Sequence, residues 1–164
     1  MQEEDVQINV DYDEEFLEPI REGKTHFLGT MSVKIGDKYI AGGPKAPVAD
    51  HIATALSQML EAVEAVEQGN KYRFGTGDEP TYLVFEPVNG GLEITHCKTK
   101  SCVRDTSSRL DIEHKEVTTI EKYSEEIIKE TESFVSKVGE INEMLTNSNA
   151  LKSLENQLNE LKTD

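Results

Sequence analysis

The sequence predicts an α+β fold, in which an antiparallel sheet built from hairpins carries two long helices on one face. Short segments that alternate apolar and polar residues are separated by the turn sequences Gly36-Asp37 and Asn89-Gly90-Gly91. Tight turns of this kind join neighbouring antiparallel strands. Two much longer segments instead place apolar residues at the spacing of one helix face. Such helices pack on a sheet to bury their apolar sides, which gives the α+β class.

Seven short segments have the alternation and composition of strands. The first covers residues 6–12, where every second residue is apolar or aromatic. Residues 13–23 are interpreted as a connection, with Phe16, Leu17 and Ile20 expected to contact the core. The other predicted strands are residues 26–35, 38–41, 71–74, 81–87, 92–97 and 109–117.

The central helix is predicted for residues 44–70, where a start signal, an apolar stripe and a stop signal agree. Pro47 suits a first helical turn, because its missing N–H would have no partner within the helix there. Asp50 would add a favourable negative charge to the same turn. Gly69 followed by Asn70 supplies the positive-φ residue that often closes a helix. The apolar stripe consists of Val48, Ile52, Ala55, Leu56, Met59, Val63 and Val66.

A second long helix is predicted to begin at Thr118 or Thr119 and to end before a break at residues 146–149. Its apolar stripe consists of Tyr123, Ile127, Phe134, Val138, Ile141 and Leu145. A short C-terminal helix with a leucine repeat follows, and its repeat consists of Leu151, Leu154, Leu158 and Leu161. Because this repeat is too short for an isolated coiled coil, it either folds back on the body or forms a homodimer contact. We expect one α+β domain over residues 1–148, followed by the C-terminal helix over residues 149–164.

The strong negative charge restricts the partners of this 164-residue chain. Its net charge is −15 and its pI is near 4.6, so it repels nucleic acids and anionic membranes and is expected to bind neither. A run of about 18 apolar residues, the length that spans a bilayer, does not occur. The acidic N-terminus lacks the basic and apolar regions of a secretion signal, and two cysteines make no disulfide framework. These features predict a cytoplasmic protein.

Four residues of the types that bind zinc lie close together in the sequence, namely His96, Cys97, Cys102 and His114. Their spacing argues against a shared metal, because adjacent strand residues such as His96 and Cys97 point to opposite faces. The two cysteines are interpreted as free thiols, as a disulfide across a four-residue turn, or as metal ligands. We predict neither a metal site nor a cofactor.

Catalytic motifs are absent from the sequence, so we predict a protein that is not an enzyme. No G-x-S-x-G, H-E-x-x-H or phosphate-binding pattern occurs. Neighbouring carboxylates are frequent, but a chain with 32 acidic residues contains them by chance. The alternative is a small-ligand-binding or enzymatic domain with a pocket between sheet and helices, which His96 and His114 would line with Tyr82 if the two histidines share one sheet face.

Negative charge is concentrated on the predicted helices. Residues 46–70 carry four acids and no Lys or Arg, and residues 119–164 carry ten acids against five lysines. Residues 71–118 are nearly balanced, with eight acids and seven bases. Helices on one sheet face would combine into one acidic surface, which attracts a basic protein partner. The predicted partner-binding residues are Glu61, Glu64, Glu67, Glu125, Glu126 and Glu132.

In size, acidity and mixed α+β build, the chain resembles small bacterial immunity proteins. The resemblance spans the whole chain and rests on these gross properties, without a shared motif. It implies an inhibitor that neutralises a basic partner such as a nuclease toxin.

Overall fold

The computed structural model describes residues 4–43, 48–76, 81–97, 103 and 115–163, and within them it confirms the α+β class. The strands form two antiparallel sheets, where the sequence analysis expects one. The strands are β1 (Val6–Val10), β2 (Leu28–Ile35), β3 (Lys38–Ala41), β4 (Val48–His51), β5 (Tyr72–Thr76), β6 (Thr81–Val88), β7 (Gly91–Cys97) and β8 (Lys115–Thr118). The helices are α1 (Glu14–Arg21), α2 (Ile52–Glu67), α3 (Ile120–Ile141) and α4 (Asn149–Thr163), with a 3-10 turn (Glu143–Asn147) before α4.

Strand β2 is the centre of the first sheet. Met31 is aligned with Val10 of β1 and also with Val48 of β4, so these two strands lie on opposite sides of β2. Strand β3 pairs with the other end of β2, on the same side as β4. The second sheet has the order β5-β6-β7-β8, with every neighbouring pair antiparallel. Of the strand predicted for residues 109–117, the part before residue 115 lies outside the described residues.

Helix α2 lies at the middle of the core. It packs against α3 and α4 and also contacts β2 and β4 of the first sheet and β5 and β6 of the second. Its buried residues are Ile52, Ala53, Ala55, Leu56, Met59, Leu60, Ala62, Val63 and Val66. The alanines among them let the neighbouring elements approach closely, because they fill little space. This enclosure brings both sheets into one hydrophobic core.

The predicted start of the central helix is wrong. Val48 and Asp50, assigned to its first turn, lie in β4, which pairs with β2, and the helix begins at Ile52. The carbonyl of Phe27, the residue before β2, accepts the N–H of Ile52 at 2.9 Å. The first N–H of the helix, which has no acceptor within the helix, is therefore hydrogen-bonded. The predicted stop is confirmed, since α2 ends at Glu67 and Gly69 has a φ of 81°. Pro47 lies outside the described residues.

The connection predicted for residues 13–23 is instead the short helix α1. The side chain of Asp13 caps it by accepting the N–H of Phe16 at 2.9 Å. Phe16 and Ile20 are buried, as expected, because their four-residue spacing places both on one helix face. Pro19 disfavours a helix, because proline has no N–H to donate within it. Burial of the apolar face outweighs this effect.

Helix α3 begins as predicted but ends at Ile141, so Leu145 of the predicted stripe lies in the 3-10 turn, while α4 matches the predicted C-terminal helix. Thr119 caps α3 by accepting the N–H of Lys122 at 3.0 Å. Three leucines of the C-terminal repeat, Leu151, Leu154 and Leu158, are buried in the chain's own core. A homodimer through these leucines would therefore require α4 to leave that core. In the described part of the chain, the helices all fall short of the length and apolarity needed to cross a membrane.

Carboxylates of α3 cover the outer edge of β1. Oε1 of Glu126 accepts the N–H of Ile8 at 3.3 Å, and Oε1 of Glu130 accepts the N–H of Val10 at 3.2 Å. These N–H groups belong to the side of β1 that faces away from β2. An edge strand protected in this way cannot add a further strand.

The pKa of Glu130 is raised, mainly because the carboxyl group is partly buried. The Val10 N–H and Lys129 oppose the shift, and the charge of Glu126 adds to it. The folded protein therefore keeps this proton to a higher pH than the unfolded chain. The stability that Glu130 contributes falls as pH rises from its ordinary pKa of 4.5 through the raised folded pKa.

Two substitutions of Glu130 separate its hydrogen bond from its charge. Glu130→Gln keeps an acceptor for Val10 and removes the charge, so we expect stability at least equal to wild type at about pH 7, with the difference vanishing near pH 4. Glu130→Met keeps the length but removes the acceptor, and we expect it to be about 1 kcal/mol less stable than Glu130→Gln at both pH values. Urea unfolding measures this, and equal stability of the two variants would contradict a role for the hydrogen bond.

Candidate functional site

The three predicted partner-binding residues of α2 lie on its exposed side. Helix α2 presents a narrow polar strip to solvent, which we call the α2 strip; it consists of Thr54, Ser57, Gln58, Glu61, Glu64 and Glu67. Oε2 of Glu61 accepts the hydroxyl of Tyr72 at 2.7 Å. Glu64 and Glu67 are exposed and have no ion pair or hydrogen bond to their carboxylates within the described part of the chain.

The predicted residues of α3 have partners or neighbours within the chain. Glu126 accepts an N–H of β1, and Glu132 forms an ion pair with Lys162 of α4 at 2.9 Å. Glu125 is exposed beside β1, in an open cleft of about 600 Å³ that Lys122 and Lys129 also line. The six residues therefore lie in different environments, and only the acids of the α2 strip form a run without a cation.

A groove of about 700 Å³ lies between the α2 strip and β5. Its α2 wall includes Thr54, Ser57 and Glu61, and the beginning of α4 contributes Ala150 and Ser153. The opposite wall is the four consecutive β5 residues Tyr72, Arg73, Phe74 and Gly75. Successive strand residues point to opposite faces, so a groove that touches four in a row runs along the edge of the strand.

Two side chains of β5 are held in place on opposite faces of the sheet. Phe74 is buried and stacks on Phe85 of β6, with ring centroids 6.1 Å apart. Arg73 lies on the other face, with its guanidinium 5.8 Å from the centre of the Tyr82 ring. Burial, the hydrogen bond to Glu61 and the charge of that carboxylate raise the pKa of Tyr72 above its ordinary value, which keeps its hydroxyl protonated as a donor.

The pocket predicted around Tyr82 and His96 is not formed, because these side chains lie on opposite faces of the second sheet. Tyr82 is aligned with Cys97, and His96 with Leu83. Tyr82 packs with Val84 and Cys97, whereas Leu83 belongs to the main core. His114 lies outside the described residues.

Cys97 is buried and disulfide-bonded, which selects one of the three alternatives for this cysteine. The chain's other cysteine, Cys102, lies outside the described residues. Among the residues that the structure describes, no group of three or more His, Cys, Asp or Glu side chains could hold a metal ion.

The groove and the open edge of β5 were missed by the sequence analysis. One sequence signal could have indicated the edge: in a series of strands joined by hairpins, the first and last strands have only one neighbour. The groove itself depends on α2 and α4 lying beside that edge, which local sequence patterns do not encode.

Comparison with known proteins identifies no relative of this chain. No protein-family model matches the sequence, and neither the curated proteins nor the solved structures include a significant match.

Proposed function

We propose that this chain is a non-enzymatic binding protein whose α2 strip contacts a basic region of another protein. An inhibitor of the immunity type, which neutralises a basic partner such as a nuclease toxin, is the specific form of this proposal. The contacts assigned to it are Glu61, Glu64 and Glu67.

The observation that carries the proposal is the position of Glu64 and Glu67 at the negative end of a helix. Helix α2 has no acid in its first turn and no base in its last turn, and Glu64 and Glu67 lie near its end. Negative charge is unfavourable there, because it adds to the negative pole of the helix dipole. Like charges three residues apart also repel each other. An arrangement that opposes helix stability supports a role in binding a cation, since local rules are broken mainly at functional sites.

The contrast with α3 supports the same assignment. Glu126 accepts a backbone N–H of β1, and Glu132 forms an ion pair with Lys162. Both carboxylates therefore already interact within the chain. Glu64 and Glu67 are free of such contacts within the described residues, and their approach to a basic surface would not break an existing interaction. Long-range attraction by the net charge of −15 would also speed the encounter.

Beads carrying the wild-type chain or the double variant Glu64→Gln/Glu67→Gln test this assignment in extracts of the source cell. We expect wild type to retain a basic protein at low salt and the variant to bind that protein about tenfold more weakly, from two exposed ion pairs. The difference should vanish near 1 M salt, where the Debye length is about 3 Å.

The matched control is Glu140→Gln/Glu155→Gln, which removes the same charge from exposed positions of α3 and α4. It should retain the partner as wild type does. Equal loss from both variants would show that only net charge matters, and equal recovery on all three kinds of bead would show that these charges do not contribute; either result would contradict the role of the α2 strip.

The sequence predicts a cytoplasmic location, but the disulfide of Cys97 counts against it. Disulfides persist mainly in oxidising compartments and are rare in the cytosol. From the disulfide-bonded state we expect a maleimide mass tag, added to denatured cell extracts, to label the protein only after reduction. Labelling without a reductant would contradict an oxidised state in the cell and would agree with the cytoplasmic location.

A further inference from the structure

We infer that the groove beside β5 binds an extended basic segment of the partner as an additional β-strand. The inference rests on the proposed function for the charge of the partner, and it adds the place and the mode of binding. Its three supports are the open edge of β5, the direction of the groove and the charge of its α2 wall.

The edge of β5 is open, whereas the outer edge of β1 is covered by carboxylates of α3. Strand β5 pairs with β6 alone, and within the described residues its opposite edge has no backbone hydrogen-bond partner. Carboxylates of Glu126 and Glu130 cover β1, while Lys38 donates to the Lys115 carbonyl of β8 at 3.4 Å. An unpaired strand edge offers N–H and C=O groups that a peptide can pair with.

The groove has the direction and length that strand addition requires. It touches four consecutive residues of β5, so it exposes the strand's edge and not one face. The five residues of β5 extend over roughly 17 Å, enough for a short antiparallel or parallel ladder. A partner segment of similar length would lie between β5 and the α2 strip.

The α2 wall of the groove is polar and carries one carboxylate, Glu61, which favours a basic side chain. Side chains of an added strand alternate as those of β5 do, so every second one would point towards α2. There they would meet polar Ser57 and the carboxylate of Glu61, and further along the same strip the unpaired Glu64 and Glu67. Among the described lining residues the one cation is Arg73, whose guanidinium is held over the Tyr82 ring on the far face.

Synthetic peptides separate strand addition from simple charge attraction. The probe is a capped, fluorescently labelled heptapeptide of alternating Lys and Val, and the comparison peptide has the same sequence with every second backbone amide N-methylated. N-methylation keeps all charges but removes the donors that pair with a strand edge. We expect at least tenfold weaker binding of the methylated peptide by fluorescence polarisation. We also expect slower amide exchange in residues 72–76 only with the unmethylated peptide.

A matched pair of protein variants tests the location. Ser153→Trp fills the end of the groove from an exposed position of α4, whereas Ser136→Trp adds the same side chain to an exposed position of α3 outside it. We expect Ser153→Trp to weaken the peptide at least tenfold and Ser136→Trp to leave it unchanged. Both substitutions are on the surface, and circular dichroism would verify the fold.

The outcomes distinguish this inference from the proposed function. Equal binding of both peptides, still sensitive to Glu64→Gln/Glu67→Gln, would overturn strand addition and leave the acidic surface as the binding site. Absence of binding by any Lys peptide, or equal binding of a heptapeptide of alternating Glu and Val, would overturn strand addition, and the capture experiment with Glu64→Gln/Glu67→Gln would then decide the proposed function separately. A dimer in sedimentation that Ser153→Trp converts to a monomer would assign the β5 edge to a second copy of this chain and overturn the inference.

Discussion

Enclosure of helix α2 is the constraint on which the rest of the structure depends. Each of the two sheets has one apolar face that it cannot bury alone, and α2 contacts strands of both while α3 and α4 cover its other sides. The core extends without interruption through these elements, and a buried polar contact at α2 is satisfied. The fully buried Tyr123 of α3 donates its hydroxyl to the Met59 carbonyl at 2.7 Å.

This enclosure also determines what α2 can present to solvent. With most of its circumference buried, the helix keeps only the narrow α2 strip, and the last half of that strip is Glu61, Glu64 and Glu67. The same strip forms a wall of the groove beside β5. The acidic end of the helix and the open strand edge are therefore neighbours, joined at Glu61.

The outer edge of β1 is covered and that of β5 is open, and this difference follows from the helices beside them. Helix α3 lies along β1, so Glu126 and Glu130 reach its outer N–H groups and close that edge. Helix α2 lies beside β5 across the groove, and there Glu61 accepts the Tyr72 hydroxyl and not a backbone N–H. Two acidic helices beside two strands thus produce one protected edge and one open edge.

The sequence by itself determined the α+β class, the apolar stripes of the long helices, the start of α3 to within Thr118 or Thr119, and the hairpins, because periodicity and turn chemistry are local properties. It did not reveal β4, since pairing of Val48–His51 with β2 depends on a distant strand, nor α1, whose apolar face is stabilised by burial. Only the tertiary structure decided which carboxylates form hydrogen bonds or ion pairs within the chain and which strand edge is open. Glu126 and Glu64 look alike in the sequence, and their difference arises solely from the backbone that lies within hydrogen-bonding distance of the former.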